Sequence, residues 1–200
     1  GFSRLKIGGL DLRKPGLRLD PVHLVSPYSK MEFAYKQPKH QDWFDVKVGN
    51  VRVNDVDIPG YFSTKELRVG GLWINDVLLQ NLKNRKIPVE PHIVPMIYEG
   101  LQKAPVRFKI DTASVANFSV VYEELPVKGD KLGKLYFTDM NGQFSGLTNI
   151  VSYPEQFITL HADGNLMGSG HFTATWQLPV DSLYDRFLLD ARLDSLDSVS

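Results

Sequence analysis

Histidine is the first residue type to consider, because imidazole binds metals and exchanges protons near neutral pH. The histidines are His23, His40, His92, His161 and His171. None of them lies in an HxxxH or HxH arrangement, where two ligands would share one face of a helix or strand. The last two flank a predicted hairpin and can approach each other. We interpret them as polar strand residues; the alternative is a metal site without an obvious third ligand.

Carboxylates and serines are the next candidates for catalysis. A glycosidase needs two carboxylates that face one sugar bond, but Glu123 and Glu124 are adjacent, and adjacent residues of a strand point to opposite faces. Ser119, Ser145 and Ser169 lack the GxSxG context of an activated nucleophile. We therefore predict no catalytic residues, no enzymatic activity and no cofactor.

Two further patterns have a structural and a functional interpretation. The glycine-rich segment GNLMGSGHF (164–172) lacks the GK[ST] ending and the following helix of a phosphate loop, so we expect a strand kink or a tight packing site. Several aromatic residues could form a platform for stacking sugars, although core packing is the usual role of such residues. They are Trp43, Trp73, Trp176, Phe44, Tyr61, Phe62 and Tyr136.

Composition narrows the classes of partner. Among the 200 residues, 23 are Lys or Arg and 23 are Asp or Glu, so the chain lacks the basic charge that attracts nucleic acid. With no cysteine, disulfides, thiol nucleophiles and cysteine zinc sites are excluded. No apolar run reaches the length of about 18 residues that spans a bilayer.

A short phrase recurs along the chain as LKIGGLDL, VKVGNVRV, LRVGGLWI and FKIDTASV. The copies begin at residues 5, 46, 67 and 108, hence 41, 21 and 41 residues apart, which indicates a unit of about 20 residues. In each copy a basic residue separates two apolar residues, and two more apolar residues follow after a polar step. This period-two alternation predicts strands with one apolar face and basic residues on the other.

The alternation slips by one residue in the middle of each phrase. A β-bulge that bends one long strand absorbs such a slip, and so does a two-residue hairpin turn. The slip falls on Gly8-Gly9, Gly49-Asn50, Gly70-Gly71 and Asp111-Thr112. The last pair suits a type I′ turn poorly, because both positions require positive φ. The pattern therefore favours a bent strand.

The remaining chain is also rich in predicted strands, at 134–147, 157–162, 171–179 and 186–194. Gly164-Asn165 is a hairpin signal. One short helix is predicted near 95–103, with Pro95 in its first turn and Pro105 after its end. The fold class is therefore mostly β: an elongated, curved antiparallel sheet in a single domain, 1–200, with repeated units in 1–88, the helix segment in 89–105 and further strands in 106–200.

Three segments in the second half resemble a known family. They are FKIDTASVANFSVVYEE (108–124), GKLYFTDMNGQFSGLTN (133–149) and NLMGSGHFTATWQLP (165–179). Their motifs and order resemble those of AsmA-like proteins of Gram-negative envelopes, which are related to bridge-like lipid transfer proteins. The resemblance covers about half of the chain, and the first half is similar only through the repeated phrase.

This resemblance implies a periplasmic location, a tether to the inner membrane and a contribution to outer-membrane assembly. It also implies an apolar β-groove that binds or conducts the acyl chains of phospholipid or another lipid, without catalytic residues. The chain has no membrane anchor, and about ten strands at roughly 4.8 Å spacing reach only ~50 Å. We therefore expect a segment of a longer protein.

The repeated phrase supplies the residues predicted to line that groove. They are Leu5, Ile7, Val46, Val48, Val51, Val53, Leu67, Val69, Leu72, Ile74, Phe108, Ile110 and Val115. The sequence does not distinguish an open groove from a closed core. The alternatives are a non-enzymatic β-sandwich module at the cell surface, for example for glycan, and a structural scaffold that docks a partner along a sheet edge.

Overall fold

Nine strands form one sheet in which neighbours in sequence are neighbours in space. The computed structural model describes residues 3–13, 16–36, 41–88, 97–181 and 186–194. The strands are β1 (Arg4–Arg13), β2 (Gly16–Val25), β3 (Trp43–Val56), β4 (Glu66–Asn84), β5 (Arg107–Leu125), β6 (Gly133–Thr148), β7 (Phe157–Leu166), β8 (Gly170–Pro179) and β9 (Leu188–Asp194). The sheet is open and curved, so the predicted fold class is confirmed.

All neighbouring strands pair antiparallel except β4 and β5, which are parallel. A parallel pair needs a crossover rather than a tight turn, and the segment after β4 contains the helix α3 (Ile97–Gln102). The spacing of the repeated phrase matches this pairing, since Val69 lies opposite Ile110 and Leu72 opposite Ala113. The phrases of β4 and β5 are therefore aligned side by side.

Each repeated phrase lies within one continuous strand, in β1, β3, β4 or β5. The hairpin interpretation of the slip is therefore wrong, and the phrase forms a long strand. Across β3 and β4 the register is the same on both sides of the slip, because Val48 pairs with Val77 and Asn50 with Asn75. A β-bulge with an extra residue in one strand is therefore also absent between β3 and β4, and both strands share the irregularity.

A steric requirement explains why two positions of the repeated phrase, Gly49 and Gly70, are glycine. Asp76 and Asp55 of the neighbouring strands have positive φ, 57° and 54°. A Cβ on Gly49 would lie 2.8 Å from the Asp76 Cβ, and one on Gly70 would lie 2.7 Å from the Asp55 Cβ. Real Cβ atoms do not approach so closely, so glycine leaves the space that the left-handed aspartate requires.

The irregularity continues into the second half of the sheet, where polar side chains connect successive strands. Asn117, with φ 53°, donates through Nδ2 to Asp76 Oδ1 at 2.7 Å. Its backbone N–H donates to Asn141 Oδ1 at 3.3 Å. Asn141 in turn donates to Asp163 Oδ2 at 3.3 Å. These hydrogen bonds join β4, β5, β6 and β7 where β5 and β6 have register shifts.

Two helices were not predicted from the sequence. The helix α1 (Lys30–Lys36) packs Phe33 and Ala34 against Trp43 and Leu82. The helix α2 (Ile58–Thr64) is capped by Asp57, whose carboxylate accepts from the Gly60 N–H at 2.9 Å. Tertiary packing and a cap thus stabilise helices too short to form alone.

The helix predicted near 95–103 is present as α3, although Pro95 and Met96 lie outside the described residues. The hairpin between β7 and β8 also exists, but its predicted position is wrong. Gly164 and Asn165 belong to β7, and the turn follows at Met167 and Gly168, with φ 53° and 86°. Gly164 instead allows close packing, since a Cβ there would meet the Met140 Cγ at 2.6 Å.

Candidate functional site

Apolar side chains form continuous rows across one face of the sheet. Directly paired residues of neighbouring strands lie on the same face. One row crosses all nine strands through Leu12, Leu17, Val53, Leu72, Ala113, Phe144, Leu160, Trp176 and Leu189. The adjacent row contains Leu10, Leu19, Val51, Ile74, Val115, Gly142, Ala162, Ala174 and Ala191. We call the surface formed by these rows and their parallel neighbours the apolar face.

Every residue predicted to line a groove lies on this apolar face. Val51, Ile74 and Val115 share one of the two rows above, and Val53 and Leu72 share the other. The remaining ones lie in rows on either side: Leu5 with Val46, Ile7 with Val48, Val69 with Ile110, and Leu67 with Phe108. The alternation along each strand therefore predicted the shared face, while the role of that face stays a prediction.

The strand β2 also contributes to the apolar face, although its sequence did not predict this. This strand carries Leu17, Leu19, Val22 and Leu24 on the apolar face, opposite residues of β1 and β3. The segment LRLDPVHL has the apolar and basic positions of the repeated phrase, but Asp20-Pro21 replaces the glycine pair. The repeated phrase is hard to recognise in β2 because of this difference and because its distance from the other copies is not a multiple of about 20 residues.

The side chains of the apolar face are exposed at the β1 edge and become more buried towards the middle of the sheet. The apolar side chains of β1 are exposed: Leu5 (62%), Ile7 (48%), Leu10 (60%) and Leu12 (73%). In the middle of the sheet Val69 and Ala113 are only 5% and 4% exposed. All strands of the described ranges belong to the one sheet. An exposed apolar surface of this kind is typical of a binding site.

A concavity of about 560 Å³ lies on this face beside α2. It is lined by Leu12, Gly16, Leu17, Val53, Val56, Ile58, Leu67 and Val69. Its volume is within the range of small-molecule sites, roughly 300–1,000 Å³. Because none of the lining side chains is polar, the concavity suits a hydrocarbon chain and offers no directional hydrogen bond from a side chain.

Polar residues follow the apolar rows towards the end of β5. Tyr122 and Glu124 continue the alternation of Phe118 and Val120, so they lie on the same face. The Tyr122 hydroxyl donates to Glu124 Oε2 at 2.8 Å, and Arg85 Nη1 donates to Glu124 Oε1 at 3.3 Å. Burial, followed by the hydrogen bond with Glu124, raises the pKa of Tyr122 to about 12. The hydrogen bond from Tyr122 lowers the pKa of Glu124.

The described histidines considered for metal binding are not brought together. His161 pairs with Thr175 and His171 with Asn165, which separates the two imidazoles by four positions along β7. His161 Nδ1 instead lies 2.9 Å from Thr175 Oγ1. The described part of the chain contains no group of three His, Asp or Glu side chains able to hold a metal ion. His40 and His92 lie outside the described residues.

Glu123 and Glu124 lie on opposite faces of β5, as predicted, and Lys30 of α1 pairs with Glu123. Of the aromatic residues considered for sugar stacking, Tyr61 and Phe62 contact each other edge-on, with ring centroids 5.9 Å apart, whereas the tryptophans Trp43 and Trp176 lie in separate clusters. Trp43 is buried against α1, and Trp176 packs near Ile158 in a cluster that includes Leu101 of α3. These positions do not form a common platform.

No helix in the described ranges is both long and apolar enough to cross a membrane. Comparison of the chain with protein-family models and with curated proteins finds no match.

Proposed function

We propose that this protein is an AsmA-like β-domain that binds lipid acyl chains along its apolar face. The observation that carries the proposal is the pair of apolar rows that extend from β1 to β9, with exposed apolar side chains on both edge strands. A surface of this kind favours a ligand that is long and apolar, because water is released along its whole length.

Burial of hydrocarbon supplies the binding energy in this proposal. Each methylene group removed from water contributes about 0.8 kcal/mol, so an acyl chain needs no hydrogen bond to the protein. The concavity beside α2 gives one end of the face enough depth to surround part of a chain. The headgroup of the lipid stays in water at the margin of the face, where charges need not be buried.

The three motifs at 108–124, 133–149 and 165–179 support the cellular part of the proposal. Their resemblance to AsmA-like proteins favours a periplasmic domain that conducts phospholipid or another lipid during outer-membrane assembly. In this proposal the domain acts by binding rather than by catalysis, and an inner-membrane anchor belongs to the full-length protein. A β-sandwich module fits less well, because the described strands form one sheet rather than two packed layers.

Native mass spectrometry after incubation with phospholipid vesicles tests the proposal. We expect stoichiometric lipid adducts on the 22.6 kDa chain, and we expect solvent extraction to release intact phospholipid. Vesicles with phosphatidylethanolamine and phosphatidylglycerol headgroups are compared, since binding to the acyl chains predicts similar occupancy for both. An unmodified mass under all conditions contradicts lipid binding by this domain.

A further inference from the structure

The last strand, β9, forms an exposed edge of the sheet. It pairs with β8 on one side, and no described strand pairs with its other side. All seven of its residues, LLDARLD, are exposed. Such an edge presents unpaired backbone N–H and carbonyl groups that can pair with another strand.

The sequence of β9 is complementary to itself in the antiparallel direction. When two copies are related by a two-fold axis at Ala191, Leu189 of each copy lies opposite Leu193 of the other. In the same register Asp190 of each copy lies opposite Arg192 of the other. Directly opposed residues share a face, so the two pairings place leucine against leucine on one side and carboxylate against guanidinium on the other.

We propose that β9 is the interface of a symmetric dimer, in which two copies of this chain join their sheets at this edge. A two-fold interface requires one surface to be complementary to itself, and the LDARL segment at 189–193 meets that requirement. The inference does not depend on lipid binding.

The charges of the monomer favour this pairing. Arg192 Nε lies 2.7 Å from Asp194 Oδ1 of the same strand, whereas Asp190 has no ion-pair partner in the described part of the chain. The residues of β8 opposite Arg192 and Asp190 are Thr173 and Thr175, which carry no charge and do not compete. In the dimer each Arg192 lies between its own Asp194 and Asp190 of the second copy.

The dimer also extends the apolar face. Leu189 and Ala191 continue the two long apolar rows, and the two-fold axis stands perpendicular to the sheet. The apolar faces of both copies therefore lie on the same side of one sheet. If the proposed function is correct, two copies offer one continuous surface to acyl chains.

The opposite edge, β1, offers a competing contact for a second copy. Pairing two β1 strands about Gly8 and Gly9 brings Lys6 of each copy opposite Asp11 of the other. The ladder between β1 and β2 skips Gly8, at the centre of that register. Pairing of β9 with β1 leaves a free edge at each end and produces open chains of molecules instead of dimers.

Sedimentation velocity at protein concentrations of about 1–100 µM, where small interfaces associate, tests the dimer. We expect the mass to rise from one to two copies of the 22.6 kDa chain. Asp190→Arg and Arg192→Asp each place like charges opposite each other, and each should weaken the dimer at least about tenfold, roughly the effect of one strong pair. The double variant Asp190→Arg/Arg192→Asp restores it.

Mixing the two single variants provides a further check, because their charges are complementary only to each other. An equimolar mixture should form a heterodimer although each variant alone is monomeric. Lys6→Asp on the β1 edge is the matched control and should leave the dimer unchanged. A monomer at all concentrations overturns the proposal, and so does loss of the dimer in Lys6→Asp. The proposal is also overturned if neither single variant weakens the dimer, or if neither the double variant nor the mixture associates.

Discussion

Leu12→Asp separates an open binding face from a closed core. Leu12 lines the concavity beside α2 and is 73% exposed. Complete burial of a leucine side chain contributes about 1.5–3 kcal/mol, so a side chain that is mostly exposed contributes less than ~1 kcal/mol. We therefore expect Leu12→Asp to reduce the free energy of unfolding by less than about 1 kcal/mol.

The same substitution should have a large effect on lipid binding. An acyl chain in the concavity would cover the introduced carboxylate, and burial of an unpaired charge costs several kcal/mol. Occupancy of the concavity should therefore fall at least about tenfold, since 1.4 kcal/mol already changes an equilibrium constant by that factor. Native mass spectrometry with phospholipid vesicles measures occupancy, and urea unfolding measures stability.

Two further variants make the comparison decisive. Val127→Asp changes an exposed valine (65%) in the loop between β5 and β6, so it should alter neither property. Val69→Asp changes a valine that is only 5% exposed, so it should lower the free energy of unfolding by several kcal/mol. Unchanged lipid occupancy in Leu12→Asp would refute the proposed face, and unfolding of Leu12→Asp as severe as that of Val69→Asp would refute an open one.

Two other predictions concern the sheet itself. Gly49→Ala should lower the free energy of unfolding by about 1–3 kcal/mol, because its Cβ would lie 2.8 Å from the Asp76 Cβ; Gly100→Ala in α3, which meets no atom within 4 Å, is the control and should not destabilise. The pKa of the Tyr122 phenol is raised from 10 to about 12. The stability that this phenol contributes to the folded state is therefore complete below pH 10 and is lost as the pH rises to about 12. Tyr122→Phe should therefore remove up to about 2 kcal/mol of this alkaline loss of stability, measured by urea unfolding. Tyr153→Phe, which changes an exposed loop tyrosine, is the control and should not remove it. The same dependence of the free energy of unfolding on pH in both variants would contradict the role given to Tyr122.

Local patterns explain why the predicted lining residues on each side of the slip share one face. The side-chain direction alternates with period two along any strand, and this holds whichever strand lies alongside. The copy in β2 was missed because Asp20-Pro21 occupies the position of the glycine pair. The sequence signal at the hairpin was misplaced for a similar reason, since Gly164 serves packing against Met140 instead of a turn.

The short helices show the limit of local reasoning. Seven residues form an isolated helix poorly, and α1 depends on distant contacts, such as Asn84 Nδ2 donating to the Ala34 carbonyl at 2.8 Å. The steric role of glycine in the repeated phrase is also invisible locally. It depends on an aspartate in the adjacent strand, 27 positions away for Gly49 and Asp76.

The sequence by itself determined the strands, their apolar sides and the scarcity of helix, because each of these depends on residues close together in the chain. Only the tertiary structure decided that β4 and β5 are parallel, that the slips align across strands, and that the apolar face is exposed at its edge strands. Backbone hydrogen bonds form between any two strands, so their partners, curvature and free edges follow from contacts between distant residues. Those contacts also decided that β9, with its self-complementary residues, lies at an edge.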